Sequence, residues 1–145
     1  MEQLKILLVD DEERLLSTTK KLFEKIGIQA LTASSGREAL EVLDANEVHV
    51  VFLDLKMPGM DGMETLQRIK KTYPLIEVII LTGHATMETA VEGLKLGALD
   101  YLIKPVSMKD FLGKAEEAFA KVTLQKQKIR SARMAEAAGG RRQQR

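Results

Sequence analysis

Leu4-Lys5-Ile6-Leu7-Leu8-Val9-Asp10-Asp11-Glu12 decides the reading of this chain. Its first six residues form a short, nearly continuous apolar run, the pattern of a strand buried on both faces. The run ends on two adjacent carboxylates. A helical pattern follows over Glu12 to Lys25, with Leu15, Thr19, Leu22, Phe23 and Ile26 on one face and Gly27 to stop it.

The same alternation continues outward. Ile28 to Ala33 reads as a strand, and Ser35 caps a helix over Gly36 to Ala45 with Ala39, Leu40 and Leu43 inward. Val48 to Leu53 is a buried strand ending at Asp54. The turn-rich Met57-Pro58-Gly59-Met60-Asp61-Gly62 leads into a helix over residues 63–71, with Leu66 and Ile69 inward, which Tyr73-Pro74 breaks. Ile76 to Leu81 is a strand with Thr82-Gly83 at its end, Thr86 to Leu96 a helix closed by Gly97, and Asp100 to Ile103 a short strand stopped by Lys104-Pro105. Ser107 caps the last helix. Strict alternation of buried strands and amphipathic helices predicts a doubly wound five-stranded parallel sheet flanked by five helices. The last helix overruns the domain along Phe111, Ala115, Ala118, Val122, Gln125, Ile129 and Ala132, a heptad-like stripe. Residues 1–122 are expected to form the domain. Residues 123–145 are expected to form a helical extension and a basic tail, disordered from Ala137-Ala138-Gly139-Gly140 onward.

Composition narrows the function. The chain has 145 residues, 45% apolar and 30% charged, which suits one soluble domain. Without cysteine it has no thiolate chemistry and no cysteine-ligated metal. No apolar run approaches the roughly 20 residues of a membrane span, and no signal peptide is read, so the expected compartment is the cytoplasm and no membrane partner is expected. The net charge of +1 conceals a division: residues 1–120 carry 14 basic and 20 acidic side chains, whereas residues 121–145 carry 8 and 1. The basic tail has no aromatic side chain to stack on a base, and direct nucleic-acid binding is not expected.

In an open parallel sheet, ligands bind where the carboxyl ends of the strands emerge. Asp10 and Asp11 end the first strand, Asp54 the third, Thr82 the fourth and Lys104 the fifth. Three carboxylates in one pocket repel one another, by about 4 kcal/mol per pair at about 4 Å and an effective dielectric near 20. Such a group calls for a cation, and oxygen ligands without His or Cys favour Mg²⁺. An amine and a hydroxyl beside it can clamp phosphate oxygens, which makes up the parts of a phosphoryl-transfer site. A carboxylate can itself be the acceptor, though strand ends alone do not say which one, and Asp10 or Asp11 could simply cap the first helix.

Five stretches in order carry a resemblance: Leu8-Val9-Asp10-Asp11-Glu12, Asp54-Leu55-Lys56-Met57-Pro58-Gly59-Met60-Asp61-Gly62, Leu81-Thr82-Gly83-His84-Ala85, Gly97-Ala98, and Asp100-Tyr101-Leu102-Ile103-Lys104-Pro105. Over about residues 3–122 the chain resembles the receiver domain of two-component response regulators. The resemblance implies a flavodoxin-like fold of strand order 2-1-3-4-5 and a phosphorylation switch. Asp54 would accept phosphoryl from a sensor histidine kinase. Asp11, Asp54 and the Lys56 backbone carbonyl would ligate Mg²⁺, and Asp10 would hold a metal-bound water. Thr82 and Lys104 would grip the phosphoryl oxygens, Tyr101 would be the aromatic switch, and Lys56 and His84 would tune hydrolysis. Lys104-Pro105 would be a cis peptide.

The face of the fourth helix, fifth strand and fifth helix would change its affinity for a second copy or an effector domain. Such a domain promotes only its own phosphorylation and dephosphorylation and is not a turnover enzyme. The alternatives are an Mg²⁺-dependent phosphatase with an aspartyl nucleophile, a flavodoxin-type cofactor binder and a pseudo-receiver that only binds partners. Gly83-His84-Ala85-Thr86-Met87-Glu88-Thr89-Ala90 and Lys95-Leu96-Gly97-Ala98 are most similar to receivers of sigma-54-dependent activators, in which an ATPase and a DNA-binding domain follow a helical linker.

Overall fold

Five strands and five helices alternate along the chain in a computed structural model that describes residues 2–56, 61–83 and 87–143. The order is β1 (Lys5–Val9), α1 (Glu13–Lys25), β2 (Gln29–Ala33), α2 (Gly36–Ala45), β3 (Val50–Asp54), α3 (Gly62–Thr72), β4 (Glu77–Thr82), α4 (Met87–Lys95), β5 (Asp100–Ile103) and α5 (Met108–Gln143). All pairings are parallel, and the sheet runs β2-β1-β3-β4-β5. This is the expected doubly wound order.

Alternate residues of the central strands feed two cores. Leu7, Val9, Val51, Leu53, Val78 and Ile80 pack with Ala39, Leu43, Leu66 and Ile69 of α2 and α3. Ile6, Leu8, Val50, Phe52, Ile79 and Leu81 pack with Leu16 and Phe23 of α1 and with Phe111, Ala115 and Ala118 of α5. Because both faces are covered, the strands need apolar residues at every position, which is why they read as runs.

Local chemistry sets the helix ends. The Ser35 hydroxyl accepts from the Glu38 N–H at 3.1 Å. Glu38 reaches back to the Ser34 N–H at 2.9 Å and hydroxyl at 2.7 Å, a variant of the capping box, and these bonds hold its carboxyl below the usual range. Asp61 caps α3 by accepting from the Glu64 N–H at 2.7 Å, and Ser107 caps α5 through the Asp110 N–H at 3.1 Å. Gly27, at φ 83°, ends α1 in the left-handed conformation, with the Ile28 N–H donating to the Phe23 carbonyl.

One expectation is corrected. The inward face of α1 is Leu16, Thr19 and Phe23, whereas Leu15, Leu22 and Ile26 are exposed. Thr19 and Phe23 lie inward as expected, but Leu16, about 100° further round the helix, takes the inward place expected for Leu15. At the other end of the chain α5 continues to Gln143. Met134-Ala135-Glu136-Ala137-Ala138 is a run of strong helix formers, and it carries the helix through Gly139-Gly140 despite their cost of about 1 kcal/mol each. The stripe on α5 is buried at Phe111, Ala115, Ala118 and Val122, half-buried at Gln125 and exposed at Ile129 and Ala132. Beyond Val122 the helix therefore leaves the body and runs on for about 30 Å.

Candidate functional site

The side chains at the carboxyl ends of the strands converge. Asp10 continues β1, its N–H donating to the Ala33 carbonyl at 3.1 Å, and its carboxylate is buried at the sheet edge. Asp54 ends β3 and is buried, while Asp11 beside them is exposed. Oxygens of all three carboxylates lie within 4.8 Å of one another. Lys104, just past β5, reaches back so that its Nζ lies 2.7 Å from Asp10 Oδ2 and 3.2 Å from Asp54 Oδ2. Its N–H donates to the Thr82 carbonyl at 2.8 Å, which joins the ends of β4 and β5.

The second oxygens of Asp10 and Asp54 are also engaged. Asp10 Oδ1 accepts from the Glu12 N–H at 3.0 Å, so Asp10 does serve the start of α1 as well as facing the pocket. Asp54 Oδ1 accepts from the Lys56 N–H at 3.1 Å. Thr82 is buried, and its hydroxyl donates to the Gly83 carbonyl at 3.2 Å.

Burial pushes the Asp54 carboxyl above its ordinary value. The Lys56 N–H and the Lys104 ammonium oppose the rise, and the Asp10 charge adds to it. Burial acts on Lys104 to release its proton, but the hydrogen bond to Asp10 and the charges of Asp54 and Asp10 outweigh it, so its pKa is raised and the ammonium persists. The pocket is thus a carboxylate cluster held together by one internal cation. An oxygen-only donor set of this kind fits a hard divalent ion such as Mg²⁺.

The remaining candidates are placed as follows. Lys56 is exposed at the corner after β3. Tyr101 pairs with Ile80 and Thr82 with Ile103, so Tyr101 and Thr82 share a sheet face one step apart along adjacent strands, and Tyr101 is half-buried against the α2–α3 core. The Lys104-Pro105 bond is cis. His84 and Met57 to Met60 lie outside the described residues.

The 145-residue chain matches the family model described as "Response regulator receiver domain" over residues 6–116. It belongs to the response regulator receiver domain family. The receiver is 40% identical over 119 residues to the transcriptional regulatory protein ZraR of Escherichia coli K12, covering 82% of this chain and 27% of that protein. It is 42% identical over 107 residues to a putative response regulator NtrX-like of Rickettsia felis, covering 72% of this chain and 22% of that one. The chain thus spans about a quarter of the length of these relatives. A response regulator receiver domain protein from Clostridium thermocellum superposes with a TM-score of 0.80 at 41% identity, covering 84% of this chain and 98% of that one.

A second ionisable cluster, at the opposite end of the sheet, gave no signal in the sequence. His49 precedes β3 and is buried. Its Nδ1 accepts from the Lys5 N–H at 3.0 Å, so the neutral ring carries its proton on Nε2, 2.7 Å from Glu2 and 3.3 Å from Glu47. Lys126 on α5 lies 3.0 Å from Glu2, and this contact, followed by the one to His49, lowers the Glu2 pKa. A metal-binding nitrogen needs a free lone pair with the proton on the other ring nitrogen. Here the Lys5 N–H fixes the reverse tautomer, so the group is a clasp rather than a metal centre.

Proposed function

We propose that this receiver domain takes a phosphoryl group onto Asp54 from the phosphohistidine of a sensor histidine kinase, in the cytoplasm and with Mg²⁺ bound. The observation that carries the reading is the position of Lys104 between Asp10 and Asp54, an ammonium aimed at the place where phosphoryl oxygens would arrive. Asp10 and Asp54 each have both oxygens engaged, but Lys104 lies closer to Asp10, at 2.7 Å, than to Asp54 Oδ2, at 3.2 Å, so Asp54 holds the longer bond to the ammonium. Asp54 is also the position the family resemblance assigns as acceptor.

An Asp54 oxygen attacks phosphorus, an acyl phosphate P–O bond forms, and the P–N bond of the donor breaks, the electron pair leaving with the imidazole. Asp11, Asp54 and the Lys56 carbonyl would hold Mg²⁺, with Asp10 behind them. When bound, the ion supplies charge neutralisation for the phosphoryl oxygens. Lys104 then turns from Asp10 toward the phosphoryl group, and Thr82 exchanges its bond to the Gly83 carbonyl for one to a phosphoryl oxygen.

Thr82 and Tyr101 share a face, so movement of Thr82 frees room for Tyr101 to repack. The surface of α4, β5 and α5 changes with it and alters affinity for a second copy or an output domain. The transcriptional relatives support an output in gene regulation within a longer protein, of the sigma-54-dependent kind. His84 and Lys56 would set the lifetime of the acyl phosphate.

Incubation with acetyl phosphate and Mg²⁺, followed by intact-mass analysis, is expected to show one labile phosphoryl addition, absent from Asp54→Asn. Equal uptake by the variant would sink the acceptor assignment. No uptake by the wild type would favour a binding-only module, and release of inorganic phosphate without a protein-bound intermediate would favour a phosphatase.

A further inference from the structure

We infer that Gly62 is a positioning residue for the corner after β3, and that its lack of a side chain sets the affinity of the acidic pocket for a divalent cation. The inference rests on the reading of Asp54 and Lys56 as groups that hold Mg²⁺.

Gly62 is buried and begins α3 directly after the capping Asp61. A methyl group on its Cα would stand 2.5 Å from the Leu55 Cα, 2.9 Å from the Asp54 carbonyl oxygen and 3.0 Å from the Leu55 carbonyl carbon. All three are main-chain atoms, so no rotamer change relieves the contact. Among the described residues the glycines with positive φ are Gly27 and Gly97, so what Gly62 supplies is space rather than an unusual backbone conformation.

Both partners in this contact are held from behind. Leu66 and Ile69 anchor α3 in the core with no exposed surface. The corner is tied to β4 by the Leu55 N–H donating to the Leu81 carbonyl at 3.4 Å. Helix and corner are joined directly where the Gly62 N–H donates to the Leu55 carbonyl at 3.3 Å. Carbon atoms in ordinary contact stand about 3.5–4 Å apart, so a methyl group must drive the two bodies apart by about an ångström. The corner that moves carries the Asp54 carboxylate, the Lys56 N–H bonded to it and the Lys56 carbonyl. Mg²⁺ demands near-octahedral ligands at about 2.0–2.1 Å and tolerates little displacement.

The test measures the Mg²⁺ dissociation constant and the melting temperature of the full chain as wild type, Gly62→Ala and Gly93→Ala. Gly93 also lies at a tight contact, but its added methyl would meet the flexible end of Ile80 on β4. We expect Gly62→Ala to weaken Mg²⁺ binding by about tenfold or more. Phosphorylation by acetyl phosphate should then fall at limiting Mg²⁺ and recover at saturating Mg²⁺. Gly93→Ala should lower the melting temperature and leave Mg²⁺ affinity unchanged. A folded Gly62→Ala protein with wild-type Mg²⁺ affinity overturns the inference and leaves the proposed function standing. A wild type that binds no Mg²⁺ overturns both. Should Gly62→Ala unfold in buffer, the same comparison in trimethylamine N-oxide, which favours the folded state by exclusion from the surface, is read by the same criterion.

Discussion

Lys104 Nζ lies 2.7 Å from an oxygen of Asp10, a residue 94 positions earlier in the chain. The pair joins the end of the edge strand β5 to the end of the interior strand β1, and it places the lysine where it neutralises the carboxylates before any ligand arrives. On the proposed reading, the ammonium and a divalent ion would serve the same charges in turn. Lys104→Ala is expected to cost about 2 kcal/mol of stability without Mg²⁺, because Asp10 and Asp54 then face each other uncompensated. It is also expected to bind Mg²⁺ more tightly than wild type while losing phosphorylation. Thermal melts with and without Mg²⁺ check this, and a smaller Mg²⁺-induced rise in the variant would contradict it.

Burial raises the Asp54 pKa in the folded state, so the folded protein holds that proton more tightly than the unfolded chain does. Stability without metal therefore falls as pH rises from the ordinary Asp value through the raised one, and the cost persists at higher pH. Asparagine carries no charge and removes this slope. Asp54→Asn should melt a few degrees above wild type at neutral pH without Mg²⁺, and the difference should close in acid. Parallel melting curves across the pH series would refute the role of burial.

Thr82 is buried, and its hydroxyl is spent on the Gly83 carbonyl rather than on any of the three carboxylates. Thr82→Val keeps the shape and removes the hydroxyl. Phosphoryl uptake from acetyl phosphate should fall by no more than about tenfold, as expected for one lost hydrogen bond. The conformational response should vanish. Amide and ring signals of Tyr101, followed by NMR with beryllofluoride, should move in wild type and stay in place in the variant. A full response in Thr82→Val would show that another group drives the switch.

The clasp of His49, Glu2 and Lys126 ties the N-terminal segment to α5 just past Val122, where the helix leaves the body. His49 also packs against Phe119, with ring centroids 4.9 Å apart. His49→Ala is expected to cost about 2–4 kcal/mol and to increase amide exchange in α5 from Phe119 onward. Lys126→Ala, on the exposed side, should cost less than about 1 kcal/mol. Exchange unchanged in both variants would mean that the packing of Val122 and Ala118 alone directs the helix.

Much of this protein could be read from local pattern. Strands covered on both faces must be apolar throughout, so Ile6 to Val9 and Val50 to Leu53 declared themselves, and the polar residues at which such runs stop stand together at the carboxyl edge of the sheet. Asp10, Asp54, Thr82 and Lys104 were legible for that reason, as were the caps at Ser35 and Ser107, whose chemistry is complete within four residues. Other features depend on distance in space. Leu15 and Leu16 are equally apolar, and only the docking angle of α1 decided which is buried. The Lys104–Asp10 pair, the tautomer of His49 and the contact of Gly62 with the Asp54–Leu55 backbone each join segments with no sequence relation. A residue type states what a side chain can do, but partner, protonation and clearance are set by what the fold brings within about 3–4 Å of it.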